Sequence, residues 1–298
     1  MFMKKQKYTM HLSSSELILN KDGSIYHLRI HPEEIADDVI TVGDPDRIDM
    51  VLPHFSSIEF DRRTREFRTV TGICNSQRLT VISTGIGTDN IDIVLNEVDA
   101  LKNIDLKTRT RKPNLQSINI YRIGTSGTLQ KDIDIDSLLV SAYAVGMGGL
   151  AHYYANGHSL KEEHLTQSLI SFKPEFGIFN PYTSTGDLKL QEKFLKNKDF
   201  LSGITITAPG FYGPQGRNLR LQSALPALEE LESFTFDGKQ ITNLEMETAG
   251  IYFLATALGH RAISLNALLA NRITGAFSSD PQKTIEYLIQ SSLEIITS

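Results

Sequence analysis

Asp38-Val-Ile-Thr-Val-Gly-Asp-Pro-Asp-Arg47-Ile48 packs three signals into one short stretch. Residues 39 to 42 form a β-branched run of the kind that fits a strand. Gly43 breaks that run, and Asp44 with Pro45 then opens a helix, an acid and a proline being favoured where backbone N–H groups lack partners. The same order recurs along the chain. Thr80-Val-Ile-Ser-Thr-Gly-Ile-Gly-Thr88 leads into a helix from Asp89 to Leu101, and Ser117-Ile-Asn-Ile-Tyr-Arg-Ile-Gly-Thr-Ser-Gly-Thr128 reads again as a strand followed by a glycine turn. Further strands are expected at residues 135–145, 203–208 and 261–270, with an edge strand or arm at 26–30 and a helix start at Pro32. Residues 56–82 read as strand-like runs around a polar turn at 60–68. Helices are expected at 187–198, 248–258 and 281–296. Alternating strands and helices predict an α/β fold with a mostly parallel or mixed sheet covered by helices. The pattern is not a dinucleotide fingerprint, because Gly85-Ile-Gly87 lacks the third glycine.

The chain has 298 residues, 40% hydrophobic and 22% charged, enough apolar mass for a large core. A formal net charge of −5 gives no global basic field to attract nucleic acid or an anionic membrane, so any anion site has to be local. The single cysteine, Cys74, excludes an intrachain disulfide and a cysteine-based zinc site, and reads as structural. No apolar run reaches the ~20 residues of a membrane span, and the basic N-terminus is followed by polar residues, not by a signal-peptide core. A cytoplasmic protein is expected. Residues 1–20 lack a period and read as a poorly ordered extension, with residues 21–298 as a single domain.

Several residues point to chemistry. Gly43 before a helix start offers backbone N–H groups to an anion, and Arg47 adds a fork of donors; a capped turn with Arg47 on the surface is the plainer alternative. Arg122 lies within an apolar strand, where a guanidinium is costly unless it is paired or binds an anion. Phe211-Tyr-Gly-Pro-Gln-Gly-Arg217 cannot form regular structure, so Gln215 and Arg217 project from a turn as donors and an acceptor suited to an imide edge, with Phe211 free to stack. Asn243-Leu-Glu-Met-Glu-Thr248 precedes a helix apolar on nearly every side. Either Asn243, Glu245 and Glu247 cap that helix, or the two carboxylates face one ligand, such as the cis-diol of a ribose. His27 is either solvated surface or part of a site.

Val42-Gly-Asp-Pro-Asp-Arg47, Arg65-Glu-Phe67, Ser83-Thr-Gly-Ile-Gly87, Arg122-Ile-Gly-Thr-Ser-Gly127, Phe211-Tyr-x-x-Gln215-x-Arg217 and Glu245-Met-Glu-Thr248, in this order, resemble the nucleoside phosphorylase superfamily, closest to bacterial-type uridine phosphorylases. The resemblance spans residues 26 to 296. It implies a three-layer α/β/α fold around a central mixed, partly barrel-like sheet, and a homo-oligomer, a dimer or a hexamer of dimers. It implies a pentosyltransferase of pyrimidine salvage and nucleoside catabolism, with inorganic phosphate as co-substrate and no cofactor. Phosphate would be held by Gly43, Arg47, Arg122 and Thr125 with Arg65 from a neighbouring subunit. Ribose would be held by Glu247, Glu245 and Met246 with the neighbour's His27. The base would meet Phe211, Gln215 and Arg217, with Arg272 supporting Arg217; Arg122, Glu247, Gln215 and Arg217 would carry the chemistry. Some relatives bind a monovalent cation such as K+ at the dimer interface through positions matching Glu66, Ile86 and Asn90, and Asn90 departs from the usual serine. Gly216 stands where an acid is common. The alternatives within the superfamily are a purine nucleoside phosphorylase or a nucleosidase. Outside enzymology, the alternative is a non-catalytic nucleoside-binding protein.

Overall fold

A computed structural model describes residues 11–155, 157–225 and 228–298. In chain order the elements are β1 (Asp38–Val42), α1 (Pro45–Val51), β2 (Ser57–Thr64), β3 (Phe67–Cys74), β4 (Gln77–Ser83), α2 (Thr88–Asn103), the short strands β5 (Ile104–Asp105) and β6 (Thr110–Arg111), β7 (Asn119–Thr128) and β8 (Leu138–Gly146). There follow α3 (Leu160–Phe172), β9 (Tyr182–Thr185), α4 (Leu188–Leu195), β10 (Phe200–Thr207), β11 (Thr235–Phe236), β12 (Lys239–Glu245), α5 (Thr248–Leu258), β13 (Arg261–Asn271) and α6 (Pro281–Ile296).

The main sheet runs in the order β11-β12-β10-β8-β13-β7-β1-β4-β3-β2. Because β12 also pairs with β7, five strands (β12, β10, β8, β13 and β7) close on themselves, while β1, β4, β3 and β2 extend as an open wing. Pairing is mixed: β7 lies parallel to β13 and β1, whereas β8 meets β13 antiparallel. Closure removes the free edges an open sheet would expose. Helices α2 and α5 pack one apolar layer through Ile91, Val94, Ile251 and Leu254, and α1, α4 and α6 pack the other through Ile48, Phe194 and Leu288. This is the three-layer α/β/α arrangement around a mixed, partly barrel-like sheet that the motifs imply.

Several local expectations are corrected. Residues 119–128 form one strand with no turn at Gly124 or Gly127. The glycines serve packing: a Cβ on residue 124 would sit 1.9 Å from the Arg122 guanidinium, and one on residue 127 would sit 3.0 Å from the Arg272 side chain. The charged stretch 60–68 is mostly strand, since β2 reaches Thr64 and only the tip around Arg65 turns, with φ 52°. An exposed edge strand tolerates such charge, and Arg68 returns across it to Asp61 and Asp49. Residues 26–30 are not a strand. The backbone N–H groups of His27 and Leu28 donate to the Glu97 carboxylate, which supplies the acceptors a strand partner would have offered. Pro32–Glu34 is a single 3-10 turn, not a helix start. Helix α3 is an addition to the elements expected from the sequence, although Ser159 and Glu162 form a capping box at its start. Of the extension expected over residues 1–20, residues 1–10 lie outside the described residues, and residues 11–20 touch the body through a bridge from His11 to Thr110 and through buried Leu17.

Candidate active site

The C-terminal ends of β1, β4 and β7 open on one side of the sheet, where ligands of α/β folds commonly bind. A cleft of about 800 Å3 lies there. One wall is the β1–α1 turn, with Gly43, Asp44 and Arg47; the floor is Arg122, Thr125 and Ser126 of β7 with Glu245, Met246 and Glu247; the far end is Phe211, Gln215 and Arg217. The Asp44 side chain accepts from the Asp46 N–H and so caps α1. Arg47 donates to the Ile123 carbonyl at 3.1 Å, which ties it to the floor. Burial, then the charge of Arg122 on the floor, pushes the Arg47 guanidinium down from its ordinary value, so an anion beside Arg47 would relieve it.

The expected pair of carboxylates divides its labour. Glu245 is the helix cap: its carboxylate accepts from the Glu247 N–H at 2.9 Å and from the Thr248 N–H, and Thr207 Oγ1 donates to it as well. Glu247 occupies the N-cap position, yet its side chain makes no capping bond. It reaches instead across the cleft floor, accepting from the Gly87 N–H at 2.8 Å and from Arg122 Nη2 at 2.6 Å. Asn243, the other capping alternative, points into the barrel. Arg122 is only 7% exposed and is paired with Glu245 at 3.0 Å as well as with Glu247, while Asn266 accepts from its Nη1 at 2.9 Å. Burial alone would lower the Arg122 guanidinium, but the two carboxylates overcome it and hold it above its ordinary value. Glu247 moves the other way for an acid. Burial raises its carboxyl, Arg122 pulls it back, Glu245 pushes it up again, and the net shift is upward.

At the far end the segment after β10 makes a tight 3-10 turn over Gly213–Gln215, with Gly216 at φ 69°. Arg217 lies 3.7 Å over the Phe211 ring and donates to the Phe211 carbonyl and to Gln215 Oε1. Gln215 is almost wholly buried and lines the cleft. Burial and the nearby charge of Arg272 push Arg217 down to about 10, so it stays a cation at neutral pH. Arg272 does not line the cleft; its Nη1 is buried without a partner among the described residues.

His27 and Arg65 also lie outside the cleft of their own chain, and they lie together. Arg65 sits over the Tyr26 ring at 5.3 Å, and the Tyr26 and His27 rings meet edge to face at 4.7 Å. Glu66, Ile86 and Asn90 meet at the cleft lip, where the Asn90 amide donates weakly to the Ile86 carbonyl at 3.5 Å. A cation there would find the Ile86 carbonyl and the Glu66 carboxylate as oxygen donors, while Asn90 turns its NH2 group to that carbonyl and would have to rotate its amide to add a third. Sequence reasoning missed the residues that hold Arg122 from behind, Asn266 and Ser264, and it missed Thr207 beneath Glu245. Polar residues inside otherwise apolar strands were the available signal.

The chain belongs to the phosphorylase superfamily, whose family model matches residues 37–294. It is similar to uridine phosphorylase of Thermococcus kodakarensis, 26% identical over 95% of this chain and 90% of that protein, and to uridine phosphorylase of Haemophilus influenzae, 24% identical over 83% and 86%. A purine nucleoside phosphorylase of the DeoD type from Geobacillus is 25% identical over 90% of this chain and 96% of that one. Among solved structures, a nucleoside phosphorylase of Trypanosoma brucei, described as showing uridine phosphorylase activity, superimposes with a TM-score of 0.87 at 29% identity, covering 95% of this chain and all of the other. The expected class, a phosphorylase acting in nucleoside phosphorolysis, follows from this membership.

Proposed function

We propose that the protein cleaves a pyrimidine nucleoside, uridine first, with inorganic phosphate, releasing free base and α-ribose-1-phosphate. The observation that carries this reading is one cleft lined by three groups of residues: Gly43 and Arg47, Arg122 with Glu247, and Gln215 with Arg217. Phosphate held by Gly43, Arg47, Arg122 and Thr125 attacks C1′ from the face opposite the base, and the sugar turns oxocarbenium-like as the glycosidic bond breaks. Glu247 accepts from the ribose hydroxyls and faces the developing positive charge, with Met246 beside the sugar. Gln215 and Arg217 meet the negative charge that grows on the departing pyrimidine, where Phe211 stacks and Arg272 adds a second cation nearby. The named relatives acting on uridine support the pyrimidine. So does the end of β13, Asn271-Arg272: the first acid beyond it, Asp280, accepts from the Lys283 N–H as the cap of α6 and is not free to protonate a purine. Purified protein should release uracil from uridine only when phosphate is present. Equal release without phosphate would make it a nucleosidase, and faster turnover of inosine would make it a purine enzyme.

The phosphate seat is short of charge in one subunit. Arg122 already answers two carboxylates, so phosphate needs a further cation, and exposed Arg65, with half-buried Tyr26 and His27 beside it, sits outside its own cleft, placed to serve a neighbour's. The active protein in this reading is a cytoplasmic homo-oligomer of dimers, a dimer or a hexamer, with K+ at Glu66, Ile86 and Asn90 as an optional bound ion. Inactive Arg65→Ala and Arg122→Ala proteins, mixed under subunit exchange, should regain activity because some mixed dimers hold an intact site. Proven exchange with no recovery sinks the shared site.

A further inference from the structure

Five buried polar side chains form a belt around the inside of the closed barrel, one from each strand in spatial order, and the belt ends at the cleft. Arg122 on β7 donates to Asn266 Oδ1 on β13 at 2.9 Å, and Asn266 Nδ2 reaches Ser141 Oγ on β8 at 3.2 Å. Ser141 Oγ meets Thr205 Oγ1 on β10, Thr205 Oγ1 meets Asn243 Oδ1 on β12 at 2.7 Å, and Asn243 Nδ2 meets Ser126 Oγ, back on β7, at 2.9 Å. Asn266, Ser141, Thr205 and Asn243 are wholly buried. Ser126 lines the cleft.

The direction of every bond in this belt follows from its first member. A guanidinium has protons and no acceptor, so Asn266 must turn its oxygen to Arg122 and its NH2 to Ser141. Ser141 then accepts from Asn266 and gives its one proton to Thr205. Thr205 in turn gives its proton to the Asn243 oxygen, which turns the Asn243 NH2 toward Ser126. The opposite sense at a hydroxyl link would leave the Ser141 or Thr205 proton without an acceptor in a water-free interior, where an unmade bond is costly. Ser126 therefore receives a hydrogen bond from behind and has a single proton left, which faces the cleft.

Building on the proposed pyrimidine nucleoside site, we propose that Ser126 is a donor to an acceptor oxygen of the substrate, a base carbonyl or a phosphate oxygen, and that Asn243 is the positioning residue that fixes this polarity. The belt also makes the cation that orients Glu247 the origin of that polarity, so both ends of the site are set by one residue.

The test is a double-mutant cycle read by steady-state kinetics with uridine and inorganic phosphate. Asn243→Asp keeps the shape but can only accept, so it takes the Ser126 proton and turns a lone pair to the cleft; kcat/KM should fall roughly tenfold, the size of one bond reversed. In a Ser126→Ala background the same change should cost no further activity, because its route of action is gone. A rise confined to the KM for uridine identifies a base carbonyl as the acceptor, and one confined to the KM for phosphate identifies a phosphate oxygen. An equal loss from Asn243→Asp in both backgrounds overturns the proposal. Where Asn243→Asp does not fold, Thr205→Val interrupts the belt with a near-isostere and Thr205→Ser restores it. The same cycle then applies, with loss in the valine variant, rescue in the serine variant and no added loss beside Ser126→Ala. Neutron diffraction of deuterium-exchanged crystals judges the belt independently of turnover. Deuterium bonded to Ser126 Oγ on its cleft side, away from the deuterated amide nitrogen of Asn243, supports it, and a Ser126 O–D bond aimed at an Asn243 oxygen refutes it. A wild-type protein that shows this deuterium but does not turn over uridine refutes the proposed function alone.

Discussion

The two ends of the cleft are built on opposite principles. At the barrel end, Arg122, Glu245 and Glu247 are almost wholly buried, and every charge is answered by a partner on a strand or a helix start. At the loop end, Phe211 is half exposed, and Arg217 is held by a ring face and two oxygens of its own turn. The first arrangement is rigid and expensive to disturb; the second costs little to change and leaves the scaffold alone. Chemistry common to phosphorolysis would reside in the first and choice of base in the second, so substitutions at the two ends should fail in different ways.

The largest contrast is between the two arginines. Arg122→Met leaves Glu245 and Glu247 buried against each other with no counter-charge, the situation in which breaking a buried pair costs about 3–5 kcal/mol. Melting temperature should fall steeply, and kcat/KM for uridine should fall by roughly 10²–10³ with the lost anion and ribose orientation. Arg217→Met removes a cation stacked on an exposed ring, so stability should stay within about 0.5 kcal/mol of wild type. Its loss should be a fall in kcat for uridine, because the cation answers charge that grows only as the base departs, with little change in KM for phosphate. Equal melting temperatures for the two variants would erase the distinction between the ends.

Within the barrel end, the two carboxylates sharpen the comparison further. Glu247→Gln keeps its shape and loses charge-assisted bonds worth about 1.5–3 kcal/mol each, so kcat/KM for uridine should drop roughly ten- to a hundredfold, and less for deoxyuridine, which already lacks one hydroxyl. Glu245→Gln weakens a helix cap, with a stability cost of about 0.5–2 kcal/mol as its main effect. Paired melting curves and kinetics check both. A Glu247→Gln protein that is destabilised yet active would return that residue to a capping role.

Much of this layout is legible in the amino-acid sequence. Strand, glycine and helix N-terminus in Val42-Gly-Asp-Pro45 are local signals, and local signals survive folding: α1, α5 and α6 begin where Pro45, Thr248 and Pro281 place them. Arg122 can be singled out because a charge inside an apolar strand has no bland explanation. What stays hidden depends on distant partners. That Glu245 rather than Glu247 caps α5 is decided by Thr207, on a strand remote in sequence. That Gly124 lies in a strand and not in a turn is decided by the Arg122 side chain folding back over it. Closure of the barrel rests on a pairing of only Asn243 with Thr128 and Leu244 with Gly127, which no periodicity announces.

The smallest expected effect is one of pH, and it separates the two duties of Glu247 by sign. Burial and the charge of Glu245, against the pull of Arg122, hold its carboxyl above the ordinary 4.5. As pH rises from that ordinary value toward the folded one, the unfolded chain has already lost this proton while the native protein keeps it. The native state then binds more protons, and the stability contributed by this group falls as pH rises through the window. Activity runs the other way, because a carboxylate that accepts from ribose hydroxyls must be ionised, so kcat/KM rises through the same window. Glu247→Gln has no proton to lose and serves as the flat reference. The melting temperature of wild type relative to Glu247→Gln should therefore decline with rising pH while relative kcat/KM climbs, both across a range above pH 4.5. Two flat curves would mean that the buried carboxylate is held ionised by Arg122 throughout, and that the barrel end is as insensitive to acid as the loop end.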